Sequence, residues 1–280
     1  MALLLWFAAD PAALYRRGLE EYSRDRFVEA ERYLREEVES NPRNFQARFL
    51  LAATLVRLDR HPAALTQLRA AHALNPRHRD AAKLLGIEAI RGGAAAEAVK
   101  ALDPLVDSLP FDEETHLLLI EAQQDSAMPE AALATARKGV TRFPASAPLH
   151  CWMGLELKDS GQFVPARTHL ENAVRIDPGY AVTYAVFGDL AMKEEKYEEA
   201  GRHFRTAVEK RPEDAEAHIG LSRALEKMGR ASEAIQALET AAGAGPRIHL
   251  ELSQLYARSG DKERARKEAE LYRQLTKPAK

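Results

Sequence analysis

The chain of 280 residues carries one cysteine, Cys151, so it can form no internal disulfide and build no cysteine-rich metal site. It also has almost no net charge. Lys plus Arg is 40 and Asp plus Glu is 42, a formal charge of −2. That balance leaves no long-range field to gather a polyanion or an acidic membrane surface, which argues against nucleic acid as a partner. No apolar run approaches the ~20 residues of a membrane-spanning helix, so no integral membrane segment is expected. Catalytic signatures are missing too: there is no His-Glu-x-x-His, no glycine-rich phosphate loop and no Gly-x-Ser-x-Gly turn. No catalytic residue, metal site or cofactor is expected, and the chain reads as non-catalytic. Nor is there a linker-like stretch in a sequence that is 46% hydrophobic throughout, which points to one continuous architecture.

What is present is a period. Pro42, Pro76, Pro110, Pro144, Pro178, Pro212 and Pro246 are each 34 residues apart. Between them an apolar helical stretch, a short break, a second helical stretch and the proline recur, so each period predicts a helical hairpin. The breaks fall at Asp25, Asp59, Gly93, Gly161, Gly229 and Gly260, residue types that tolerate turn conformations. Alanine recurs in the second helix at Ala30, Ala64, Ala98, Ala132, Ala166, Ala200, Ala234 and Ala265. A small side chain there would let two helices approach closely, and proline would end each second helix because its ring cannot continue the hydrogen-bond ladder.

These residues resemble the tetratricopeptide repeat family, whose consensus runs aromatic, Leu-Gly, Tyr, Ala, aromatic, Ala and Pro. The best copy is 181–214, with Tyr184, Phe187, Gly188, Ala200, Phe204, Ala207 and Pro212 on consensus sites and Ala191 where Tyr is usual. Residues 147–180 repeat it with Met153, Gly154, Leu157, Ala166, Leu170, Ala173 and Pro178. The resemblance implies an all-α, right-handed superhelical solenoid of about eight antiparallel hairpins. A single array over 11–280 is expected, with repeats at 11–44, 45–78, 79–112, 113–146, 147–180, 181–214, 215–245 and 246–280. The last is displaced by three residues and ends in a charged capping helix from Lys262 to about Leu275. Two copies depart from the pattern. Residues 79–112 have the adjacent Gly92 and Gly93, which could loosen the turn, and 113–146 have Ile120 and Gly139 at small-residue sites and Ala127-Met128-Pro129 as the break.

Ahead of the first repeat, residues 1–10 form an apolar segment ending in small residues. With no Lys or Arg in front of it, this segment reads as a cover for the apolar end of the first repeat and the location as cytoplasmic. The alternative is the apolar part of a secretory signal, and export to the periplasm or outside. It also offers a route to self-association, in which Leu3, Leu4, Leu5, Trp6 and Phe7 stack one array on another.

His116, His150, His218 and His249, with Cys151 beside His150, suggest zinc ligands. All four, however, fall on the site of the family's first aromatic, one per repeat, which reads as packing. Acidic pairs such as Glu194-Glu195 and Glu198-Glu199 read as solvated helix faces. Co-chaperones of the family hold a C-terminal carboxylate in a lysine-and-asparagine clamp. Where that clamp needs asparagine this chain has Arg16, Leu50, Leu84, Leu118, Trp152, Val186, Gly220 and Glu251, so a chaperone tail is disfavoured.

Family geometry implies that first helices line a concave groove with their second, fifth, ninth, twelfth and thirteenth residues. The groove residues so assigned include Tyr15, Arg24, Phe49, Val56, Arg57, Lys83, Ile87, Ile90 and Arg91, an apolar floor with a cationic edge. The fourth repeat contributes Glu121 and Asp125, and later repeats add Cys151, Lys158, Asp189, Met192, Ile219 and Arg223. Apolar groups inside a charged rim are the usual make-up of a protein-binding surface. The expected function is a scaffold that holds a peptide or helical segment with acidic and apolar residues. A targeting subunit of an enzyme complex and a self-assembling array are the alternatives.

Overall fold

The computed structural model describes residues 13–277, with the backbone alone of Ala242. Residues 1–10 and the proposed stacking of Leu3 to Phe7 therefore lie outside the described residues. Those described form sixteen α-helices and no strand. They pair as α1 (Ala13–Ser23) with α2 (Phe27–Ser40), α3 (Phe45–Arg57) with α4 (His61–Leu74), and α5 (Arg79–Arg91) with α6 (Ala95–Val106). Next come α7 (Glu113–Asp125) and α8 (Pro129–Arg142), then α9 (Ala147–Asp159) with α10 (Phe163–Ile176), and α11 (Ala181–Lys193) with α12 (Tyr197–Lys210). The series ends with α13 (Ala215–Lys227) on α14 (Ala231–Glu239), and α15 (Pro246–Arg258) on α16 (Lys262–Leu275).

Local chemistry explains the boundaries. In α12, Tyr197, Ala200, Phe204 and Ala207 repeat at three- and four-residue spacing, Glu198 and Glu199 occupy the positive N-terminal turn, and Lys210 the negative C-terminal one. First helices start on a cap that recurs with the repeat period. The side chains of Asn44, Asp214 and Ser146 each accept a backbone N–H at 3.1 Å, from Ala47, Ala217 and Leu149, and Asp112 and His78 do the same for α7 and α5. Such a cap contributes about 1 kcal/mol by satisfying a donor the helix cannot.

Between helices the chain passes through one left-handed residue per hairpin. Asp25, Asp59, Gly93, Gly161, Gly229 and Gly260 have φ between 58° and 86°, as their residue types predict. Ala127 (φ 55°) and Glu195 (φ 59°) hold the same conformation, although neither type signals it in sequence. Gly92 and Gly93 do not loosen their turn. Gly93 N–H donates to Ile90 and Ala94 N–H to Ala89, the pattern made at Gly161 and Gln162.

The recurrent alanines are the close-approach sites. Ala30, Ala64, Ala98, Ala132, Ala166, Ala200 and Ala234 are fully buried and Ala265 nearly so. Second helices end two residues before Pro42, Pro76, Pro144, Pro178 and Pro212 as expected, but α6 already stops at Val106, four residues short of Pro110 and with Pro104 inside it, and Pro246 ends no helix. The shortened α14 stops at Glu239, a 3₁₀ turn follows at Ala242–Ala244, and Pro246 opens α15. Proline suits the first helical position because its missing N–H has no acceptor there.

The packing divides between Thr135 and Ala136 into two compact units. In the first, Ala30, Leu34, Leu51 and Leu55 make one buried cluster, Ala52, Leu68, Leu85 and Ala101 a second, and Ala89, Leu102, Leu119 and Ala122 a third. The second unit has a cluster running from Ala191 and Phe204 through Ile219 and Leu225 to Leu252 and Ala265. Its last helix, α16, buries only Ala265, as a solvated cap requires.

A candidate peptide-binding groove

First helices carry the groove candidates, and in the first unit two of them meet. Tyr15 on α1 and Phe49 on α3 line one cleft of about 360 Å³, with Phe45, Gln46, Leu50, Asn75 and His78. Phe45 and Phe49, one turn apart on α3, stack with ring centroids 6.0 Å apart, and the His78 ring stands 4.7 Å and 5.3 Å from them. The rings are half-buried rather than sealed, because the second helices pack beneath α3 and leave this side open. Gln46 is the second residue of its repeat and falls on the groove arithmetic, whereas Phe45, Leu50, Asn75 and His78 escape it. Phe45 is the first residue of its helix and His78 its neighbour's cap, and the signal that could have found the pair is the aromatic spacing of four between Phe45 and Phe49.

The remaining candidates are not in the lining of that cleft and stand in different states. Val56 and Ile90 are half-buried against the first and third clusters, and Ile87 is half-buried as well. Arg24 pairs with Glu20 at 2.6 Å on its own helix. Arg57 lies 4.2 Å from the Phe27 ring centroid and 3.4 Å from Asp25 of the preceding repeat. Arg91 rests on His61, which itself is held between Glu88 at 2.8 Å and Asp59 at 2.7 Å. Arg24, Arg57 and Arg91 stay about half exposed, so their guanidinium groups remain reachable.

Lys83 differs, because it is turned into ion pairs with Asp112 at 2.9 Å and with Glu114, and is 18% exposed. Burial pulls its ammonium down, yet the bonds to Glu114 and Asp112 outweigh that and leave it raised. In α7, Glu121 and Asp125 are exposed, and the Glu121 carboxyl is raised by partial desolvation and then by Asp125.

The second unit holds a cleft of about 210 Å³ lined by Asp189, Met192, Ile219 and Arg223, all assigned to the groove by position, together with Ala185, Glu216 and Gly220 over the Phe204 ring. Desolvation raises the Asp189 carboxyl above its ordinary value, and Lys158 acts against it. Arg223 is tied to Glu251 of the next hairpin at 2.5 Å. Three positions taken as groove surface are instead buried: Cys151, Lys158 and Ile219. The helix face predicts direction, but neighbouring hairpins cover these side chains.

The four histidines have a polar task inside the packing. His150 and His218 reach back six residues, placing Nε2 3.2 Å and 3.0 Å from the carbonyls of Pro144 and Pro212. Tyr184 and Arg48, on the same repeat site, donate to Pro178 and Pro42. The other ring nitrogen crosses to the second helix 19 residues on, as Nδ1 of His150 to His169 at 3.0 Å, of His218 to the Ala237 carbonyl at 2.9 Å, and of His249 to Glu268 at 2.7 Å. His116 places Nδ1 2.9 Å from the Asp112 carbonyl. Burial pushes the Cys151 thiol up to about 12, so it stays protonated rather than offering a thiolate. No group of three or more metal-binding side chains gathers among the described residues. Nor is any described helix long and apolar enough to cross a membrane.

Two family models described as tetratricopeptide repeat match the chain, one over 15–78, 53–113 and 222–277 and the other over 191–247, together more than half its length. A tetratricopeptide repeat protein from Parabacteroides merdae is similar in structure, with a TM-score of 0.67 and 15% identity over 83% of this chain and 93% of that one. TTC0263, a thermophilic repeat protein of Thermus thermophilus, has a TM-score of 0.52 and 23% identity over 65% of this chain and 99% of its own. YrrB, described as a repeat protein with an unusual peptide-binding site, has a TM-score of 0.52 and 17% identity over 66% of this chain and 95% of its own. At these identities the likeness concerns the fold. No curated protein sequence matches the chain.

Proposed function

The chain belongs to the tetratricopeptide repeat family, and from that premise we propose that it is a protein-binding scaffold whose groove in the first unit takes a peptide segment of a partner. Proteins of this family are in general non-catalytic scaffolds, and one structural relative, YrrB, is described as having a peptide-binding site. The observation that carries the proposal is the cleft in which Tyr15, Phe45, Phe49 and His78 meet. Aromatic rings held at fixed separation around about 360 Å³ suit an apolar side chain of the ligand, since such anchors dominate binding energy when they fill a pocket. Arg24, Arg57 and Arg91, each about half exposed, supply a rim on which carboxylates of the same ligand exchange with Glu20, Asp25 and Glu88. The ligand is therefore apolar at its centre and acidic at its flanks.

The test is a random peptide library selected against the full chain, followed by affinity measurements on Tyr15→Ala and Phe49→Ala. We expect the selected peptides to share an apolar residue and to lose at least tenfold in affinity to either variant. Selected peptides that bind both variants as tightly as the parent would place the site elsewhere.

A further inference from the structure

A larger cleft, about 750 Å³, lies at the edge where the α4–α5 loop meets the end of α6. The loop serves two clefts. Asn75 and His78 line the aromatic one, whereas Pro76, Arg77 and Arg79 line this one. Its volume is in the ~300–1,000 Å³ range of ligand pockets. Its walls are apolar: Pro76 and Pro104 stand with Leu105 and Leu109, and Leu109 is 78% exposed.

Two guanidinium groups supply the polar part. Arg79 is held in place because Nη2 donates to the Ser108 carbonyl at 2.8 Å and to its hydroxyl at 3.0 Å. Its Nη1 is buried and has no acceptor. A donor withdrawn from water and left without an acceptor is a cost that an incoming oxygen removes. Arg77 is exposed and makes no ion pair among the described residues. Asp80 also lines the cleft, so two cations face one carboxylate. That net charge suits a single carboxylate and disfavours a dianion such as phosphate, and a bare anion would leave the apolar walls uncovered.

We propose that this cleft is a second binding site, for a partner segment in which a glutamate or aspartate side chain stands beside aliphatic or proline residues. The carboxylate accepts from Arg79 Nη1 and from Arg77, whose planar forks match its geometry. The neighbouring apolar residues cover Leu109 and the prolines. This site shares no lining residue with the aromatic cleft, so it stands or falls apart from the groove.

The test uses the full chain and fluorescein-labelled Pro-Leu-Glu-Pro-Leu amide, with its glutamine counterpart, read by anisotropy. The glutamate peptide is expected to bind at least tenfold more tightly than the glutamine one. Arg77→Gln should weaken the glutamate peptide at least fivefold and leave the other unchanged, and Asp80→Asn should tighten it two- to threefold. Leu109→Asn, at a side chain too exposed to hold the fold, should weaken both peptides at least threefold. Tyr15→Ala and Phe49→Ala should change nothing. Equal affinity of the two peptides, absence of binding at millimolar concentration, indifference to Leu109→Asn, or sensitivity to Phe49→Ala would each overturn the proposal. So would preferential binding of the phosphoserine version or full competition by inorganic phosphate.

Discussion

Gly188 of α11 and Phe204 of α12 are fitted to each other: a side-chain carbon on the glycine would stand 2.7 Å from the ring, which is 2% exposed. The relationship recurs sixteen residues apart at Gly18 and Leu34, Gly86 and Leu102, and Gly154 and Leu170. A large side chain on the second helix thus rests on bare backbone of the first. Gly188→Ala should destabilise the fold by about 1–3 kcal/mol, because a packed core resists the extra carbon. In the fourth repeat the sizes are inverted along the sequence, with Ile120 at the glycine site and Ala136 at the large one, both fully buried. Gly188→Ile combined with Phe204→Ala should therefore recover part of the loss. Urea melts check both, and an unchanged midpoint for Gly188→Ala would show that the ring yields without cost.

The left-handed turn residues make a second prediction. A side chain in that conformation costs roughly 1–2 kcal/mol, whereas glycine adopts it freely. Gly229→Ala, at φ 75°, should lose about 1 kcal/mol, although nothing stands within 4 Å of the added carbon. Glu195→Gly, at φ 59°, should be neutral or gain up to about 1 kcal/mol. Thermal melts of the two variants should move in different directions or not at all for Glu195→Gly; a marked loss at Glu195 would mean its side chain holds the turn.

The facing pair His150 and His169 gives a pH dependence with a definite sign. Burial is the first cause that lowers both pKa values; His150 lowers His169 further, while the Pro144 carbonyl acts against the shift at His150. The folded chain therefore binds fewer protons than the unfolded one. Stability from the pair is complete above the unfolded value of ~6.5 and is lost as the pH falls through it towards the lower folded values. The Tm should drop between pH 7.5 and 5.5, and by less in His169→Gln, which cannot charge. Identical pH slopes for the two proteins would remove the pair from the account.

Charge at the groove rim is tested with Arg57→Glu and Arg91→Glu together. Arg57 and Asp25 are both well exposed, so that pair contributes ~0–1 kcal/mol, and the buried Glu88 keeps His61 at 2.8 Å when Arg91 at 3.9 Å is replaced, so the fold should persist. Peptides selected on the parent should bind about tenfold more weakly, and their affinity should depend less on salt. Circular dichroism verifies the fold and anisotropy at two salt concentrations reads the effect. Unchanged affinity and salt slope would make the rim irrelevant.

The sequence by itself determined the hairpins, because everything that makes them is local. Proline spacing, a cap such as Asn44 or Asp214, a turn residue such as Gly161 and an alanine such as Ala200 all act within one period, and the first helices start at 45, 79, 113, 147, 181 and 215 as the period requires, with the last one three residues early at 246. Ala127 was legible as a break only through that period, and Glu194-Glu195, read in the sequence as a solvated helix face, is instead the turn after α11, which the residue type of Glu195 does not signal. The site was legible in direction alone: helix position places Tyr15 and Phe49 on one face, and both line the aromatic cleft. Only the tertiary structure decided which groove side chains are available, because their partners lie one repeat away and have no fixed offset. Lys83 is taken by Asp112, Arg57 leans on Phe27 and Asp25, and Cys151, Lys158 and Ile219 are covered. The same reason hid the Arg79 cleft, since a guanidinium held by Ser108 through Nη2 with Nη1 left without an acceptor is an outcome of tertiary packing that no residue type announces.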